Sequence, residues 1–227
     1  MHHGASTIAS GQRRDLAQFC VGYALILAVI WSPRPYQRPL YILAVLFIAA
    51  SMWVSYEGRD AMGLRRTNLL RSLWIPALAA SLAAGAIFLA MRKHTLHPVG
   101  SVSLYVKTFW GYAIWSFAQQ LLMQSFFLPR LLRLMTRPRA AAFAAAGIFA
   151  LAHLPNPILT AMTLVWGSVA CLLFLRYRNL YPLAMAHAIL GICVAITLPG
   201  PVIRNMRVGL GYLNYPRHHR MGAYRSH

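Results

Sequence analysis

Acidic side chains are almost missing from this sequence. Its 227 residues include three, Asp15, Glu57 and Asp60, against 22 Lys and Arg. None follows Asp60, so beyond that point no paired-carboxylate acid–base chemistry and no carboxylate-ligated metal can be built from the chain's own side chains. Cysteine is also scarce. Cys20, Cys171 and Cys193 are odd in number, lack C-x-x-C spacing and fall in apolar segments, which predicts packed small hydrophobes and no disulfide framework. Long polar stretches of the kind that coat a soluble domain are absent too, while 59% of residues are hydrophobic, a balance a soluble core does not use.

What is present is a series of apolar runs separated by arginine. A bilayer core of ~30 Å needs about 20 apolar residues per helix. Segments at about 16–32, 37–55, 72–91, 108–128, 140–154, 158–175 and 180–199 meet or approach that length, so the expected fold is all-α, a polytopic membrane bundle of about seven transmembrane helices. The run at 140–154 is short, rich in alanine and ends at His153-Leu-Pro-Asn-Pro157, which predicts a helix that stops within the membrane or tilts in the bundle. The formal charge of +19 raises nucleic acid as a partner, but the basic residues lie between apolar runs, where they face anionic lipid, and no nucleic-acid partner is expected. With the tails set aside, the loops on the N-terminal side hold ten Lys and Arg against five opposite, which places the N-terminus in the cytoplasm. The Arg-Arg pair at 13–14 is followed by a full-length apolar segment without a small-residue cleavage site and reads as a retained anchor. Three units are expected: a two-helix hairpin over 1–57, a membrane core over 58–203 and a basic, mobile tail over 204–227.

Polar residues inside the apolar runs mark candidate chemistry, because lipid offers them no partner. Ser116, Gln120 and Gln124 recur at i, i+4 and i+8 and predict one inward-facing polar stripe, with Gln119 set about 100° to its side. Interhelical hydrogen bonding at about 0.6–2 kcal/mol per contact and the lining of a ligand site both explain such a stripe. His153 and His187 are the two of nine histidines that fall in hydrophobic segments, and beside the amide stripe they predict a common polar centre. Zinc held by two imidazoles is conceivable. A catalytic zinc usually has three protein ligands and often a carboxylate, so no cofactor is expected.

At these residues the sequence resembles the CAAX-protease and bacteriocin-processing family of intramembrane endopeptidases, over about 58–199. The family carries Glu-Glu-x-x-x-Arg, Phe-x-x-x-His and His-x-x-x-Asn on successive helices. The corresponding stretches here are Gln119-Gln120-Leu-Leu-Met-Gln124, Phe149-Ala-Leu-Ala-His153 and His187-Ala-Ile-Leu-Gly191. Met62-Gly-Leu-Arg-Arg66, Phe-Phe-Leu-Pro-Arg130 and Leu172-Leu-Phe-Leu-Arg-Tyr-Arg-Asn-Leu180 supply matching context. The resemblance implies catalytic positions at Gln119, Gln120, Gln124, His153 and His187, with substrate contacts from Ser116, Phe149, Asn156 and Gly191. In the family a glutamate activates water and the histidines and asparagine bind the scissile carbonyl. Here glutamine stands for both glutamates and for the arginine, and Gly191 for the asparagine. An amide keeps the shape of a carboxylate but has no useful basicity.

Two expectations follow. One is an intramembrane endopeptidase in which a histidine is the general base and glutamine amides stabilise an oxyanion. The other is an inactive relative that binds a peptide, a lipid or a partner helix in the former active-site cavity. Either way the expected surroundings are membrane lipids and a membrane-embedded peptide or protein, and the resemblance places the chain in a bacterial inner membrane.

Overall fold

The computed structural model describes residues 2–97 and 101–215. Among them every regular element is helical. The chain runs α1 (His2–Trp31), α2 (Arg34–Val54), a short α3 (Leu69–Ser72) leading into α4 (Trp74–Arg92), and α5 (Val102–Leu121). A π-helical stretch (Leu122–Phe127) joins α5 to α6 (Leu128–Leu134). Then come α7 (Pro138–Leu151), α8 (Pro157–Tyr177) and α9 (Leu180–Thr197), followed by α10 (Gly200–Ile203), a 3-10 turn (Arg204–Met206) and α11 (Gly209–Leu213). Each expected apolar run therefore corresponds to a helical segment. Five of them, Gly11–Trp31, Arg34–Val54, Leu69–Arg92, Pro157–Tyr177 and Leu180–Thr197, are long and apolar enough to cross a membrane by length and composition. The other two depart from that test for different reasons: α5 to α6 is a continuous helical run with polar residues in its middle, and α7 has 14 residues.

The outward faces are apolar. Leu46, Trp53, Leu82, Leu89, Trp110 and Val165 are all well exposed, as expected where lipid is the solvent and apolar burial gives helices no reason to associate. Association then depends on close packing. Ala141, Ala142, Ala145 and Ala146 of α7 are fully buried, and Gly167 of α8 sits so close that an added Cβ would lie 3.3 Å from the Ala146 Cα. Small residues at both sides of this interface let two backbones approach.

Helix ends follow from local chemistry. Asn156 and Asn179 cap α8 and α9 by accepting from the backbone N–H of Leu159 and Tyr181, each at 3.2 Å. Pro138 and Pro157 open α7 and α8, where no N–H is needed. Gly63 turns with φ +76° and accepts from Leu180 N–H at 2.8 Å, while a Cβ there would overlap the Phe174 ring.

Side-chain bonds gather alternate helix ends at one face of the bundle. Arg133 of α6 forks onto Asp15 of α1 at 2.6 and 2.9 Å, Ser125 Oγ donates to Met62 O, and Asn179 donates to Asn68 Oδ1 and Arg65 O. Asn68 also donates to Tyr177 O. At the other end His97 N–H donates to Ile196 O, and Gly209 N–H to Leu154 O. Successive long segments thus run in opposite directions.

Residues on either side of the expected boundary at 204 make contacts with the helices before them. Asn156 Nδ2 donates to Ile203 O and Arg207 O, at 2.8 and 3.2 Å, and Arg204 donates to Tyr212 O, so residues 204–215 fold against the α7–α8 turn and α1. The remainder of the expected tail, 216–227, lies outside the described residues. The hairpin expected at 1–57 is joined to the core as well, through Asp15–Arg133, Gln18–Arg130 and the Tyr23 hydroxyl, which donates to Ile148 O at 3.0 Å.

Candidate functional site

The polar stripe of α5 is longer than the amides alone. Tyr112 stands one turn before Ser116, so Tyr112, Ser116, Gln120 and Gln124 follow one another at i+4 spacing. Ser116, Gln120 and Gln124 are fully buried. Gln124 Nε2 donates to Gln120 Oε1 at 3.3 Å, and Gln120 Nε2 lies 3.1 Å from His187 Nδ1 on α9. An amide nitrogen only donates. With Gln120 in this sense His187 Nδ1 is the acceptor and its proton is on Nε2. Gln124 lies against the Cys171 thiol of α8.

His153 is not inside a helix. It falls in the turn 152–155 just past α7, where its Nδ1 lies 2.7 Å from Phe149 O. A carbonyl only accepts, so Nδ1 carries the proton and Nε2 keeps a free lone pair. The two imidazoles therefore hold complementary tautomers, one with a donor and the other with an acceptor at Nε2. The Phe149 ring touches both, with centroids 4.9 Å from His153 and 5.9 Å from His187.

Both histidines, Phe149, Tyr112 and Gln119 line a cavity of about 560 Å³ whose remaining wall is mainly apolar, from α1, α2, α5, the π-helical stretch, α7 and α8, with Met206 and Val208 also on it. Gln119 is half-buried on this wall, whereas Gln120 and Gln124 stand behind His187 and orient it. Of the four implied substrate contacts Phe149 lines the cavity, while Ser116, Asn156 and Gly191 do not. The Asn156 amide is committed to Ile203 O, Arg207 O and Leu159 N–H, and it does not line the cavity. Gly191 presents no side chain. The Tyr112 hydroxyl occupies the space its Cβ would need, so a phenol from α5 fills the position that the family resemblance gives to an asparagine on α9.

Sequence reasoning passed over Tyr112, although its place on the stripe was visible. Arg130, which the sequence offers only as motif context, is fully buried and donates to Gln18 Oε1, Phe126 O and Ser51 O, with its guanidinium 3.9 Å above the Phe126 ring. No group of three or more His, Cys, Asp or Glu side chains gathers among the described residues.

A membrane helix bundle with a buried amide–imidazole centre facing an apolar cavity defines the class. Residues 101–193, less than half of the chain, match the family described as Type II CAAX prenyl endopeptidase Rce1-like, which supports the resemblance to the CAAX-protease and bacteriocin-processing family. The match spans the helices that carry every site residue and begins after the 58–100 stretch that the resemblance also included. No curated protein and no solved structure matches the chain.

Proposed function

We propose that this integral membrane, CAAX-protease-like protein captures an extended apolar segment of a membrane peptide in the 560 Å³ cavity and holds one of its carbonyls without hydrolysing it. The observation that carries this reading is the Gln124–Gln120–His187 chain, which puts one neutral amide where the family resemblance implies a carboxylate and another where it implies the arginine. His187 Nε2–H and the Tyr112 hydroxyl are donors available to a ligand oxygen, and a carbonyl placed between them is polarised and positioned. Water activation is the missing function, since neither amide can take its proton.

A second reading is favoured by one feature. The His153 Nε2 lone pair faces no hydrogen-bond partner among the described residues, and with Nδ1–H fixed on Phe149 O it has the arrangement of an oriented general base. One assay separates the two. Purified protein is given membrane peptides that carry both a photocrosslinker and a fluorogenic scissile bond. Crosslinking into α2, α5 or α7 without cleavage is the expected result; cleavage abolished by His153→Ala establishes the histidine-driven endopeptidase instead.

A further inference from the structure

We propose that a second, smaller pocket, bounded by Ser55, Arg130, Arg133 and Arg178, binds a phosphoryl oxyanion, supplied either by a lipid headgroup or as free phosphate. It lies at the arginine-rich face of the bundle, away from the histidines, and measures about 60 Å³, room for about two waters or one tetrahedral oxyanion.

The charges around it do not balance. Arg133 is compensated twice, by its fork onto Asp15 and by Glu57 at 3.6 Å. Arg130 is 1% exposed, yet the oxygens its guanidinium contacts are an amide and two backbone carbonyls, all neutral. Those bonds occupy four of the five guanidinium N–H groups and leave one on Nη1. A buried cation with only neutral acceptors calls for an anion. Arg178 follows α8 in the left-handed conformation and forms no ion pair among the described residues; its recorded partner is the Phe174 ring at 5.7 Å. Ser55 Oγ is buried on the same wall with no hydrogen-bond partner among the described residues. Two guanidinium groups without a salt bridge among the described residues and an orphan hydroxyl thus line one cavity, and planar guanidinium donors suit phosphoryl oxygens. The exposed rim, where Arg133 is 37% and Glu57 68% accessible, gives an entry from the membrane surface. Glu57 is the one carboxylate on the rim and opposes an incoming anion.

The test uses the full chain purified in phosphate-free maltoside micelles, with inorganic phosphate as one probe and nanodiscs of phosphatidylglycerol against a neutral glycolipid as the other. Native mass spectrometry and thermal shift report binding. Wild type is expected to retain one phosphoryl group; the probe that supplies it identifies the source. Arg178→Gln and Ser55→Ala should each weaken binding about tenfold. Gln18→Glu hands Arg130 an internal carboxylate, so the fold should be kept or strengthened while binding falls. Glu57→Gln should tighten binding, and Arg71→Gln, an exposed arginine outside the pocket, should leave it unchanged. Failure of both probes to bind wild type overturns the proposal. So does equal loss in Arg71→Gln and Arg178→Gln, which would mean diffuse surface charge.

Discussion

At the scale of single residues the site is defined by amides standing where carboxylates are implied, and the two exposed to test differ in their surroundings. Gln119 lies half-buried on the cavity wall, while Gln120 is fully buried between His187 and Gln124. A carboxylate at 119 meets the cavity directly, so Gln119→Glu is expected to raise cleavage of a membrane peptide by about 10²-fold or more over wild type. Gln120→Glu alone buries an unpaired charge, a defect that costs about 3–5 kcal/mol, and with Gln124→Arg one turn away the cost should shrink in a thermal melt. Loss of an existing wild-type peptidase activity in the Glu variants would instead make the amides the working groups. Gly191 makes a second point. Its Cβ would meet the Tyr112 ring at 2.6 Å, so Gly191→Ala should destabilise by about 1–3 kcal/mol in a denaturation assay. Tyr112→Ala in the same chain should recover much of that loss, because glycine and phenol share one space.

Elements were legible in proportion to how far they depend on their own residues. Run length and hydropathy placed the five helices that are long and apolar enough to cross a membrane, because a helix in lipid must satisfy its backbone internally and cover itself with apolar side chains. The i+4 amide spacing likewise placed Gln120 and Gln124 on one face. What composition does not encode is pairing. Nothing in Leu122–Phe127 distinguishes it from an α-helix, yet it adopts the π form beside the polar centre, a frequent location for such segments. His153 was expected within a helix and stands in the turn after it, because α7 ends at Leu151. Asn156 was expected at the substrate and instead ties down 203–207, a partnership that spans 47 residues and leaves no local trace. The same holds for α1. Its docking on α6 includes Gln18, which accepts from Arg130, and Asp15, a buried carboxylate in two charge-assisted bonds to Arg133. Asp15→Asn keeps the shape and removes the charge, and should lower stability by about 1–3 kcal/mol with the far side of the bundle intact. A melt indistinguishable from wild type would mean that the Asp15 charge adds nothing to the hold that Gln18, Tyr23 and apolar contacts give α1.

At the scale of the whole molecule, directions and charge agree. Side-chain bonds bring Asp15 near the start of the apolar span Gly11–Trp31, the 58–72 segment and the ends of α6 and α8 to one face, where ten of the fifteen loop Lys and Arg lie. Juxtamembrane arginine is retained on the cytoplasmic side, so that face, and the N-terminus with it, is predicted to be cytoplasmic. The weak point in a seven-crossing bundle is α7, whose 14 residues extend about 21 Å, short of a ~30 Å hydrocarbon core. Its alanine face is packed on α8 and the turn 152–155 that continues it carries His153 into the cavity, so its ends contact protein, where irregular backbone is tolerated. Alternation then requires 58–71, 135–137 and 178–179 on the cytoplasmic side, with 93–97 and 152–156 opposite. Reporter fusions after Arg66, Thr136 and Arg178 should read cytoplasmic, and fusions after His94 and Pro155 should read external. If the fusions after Pro155 and Arg178 report the same side, α8 does not cross, the histidines are no longer approached from opposite helix directions, and the seven-crossing arrangement fails.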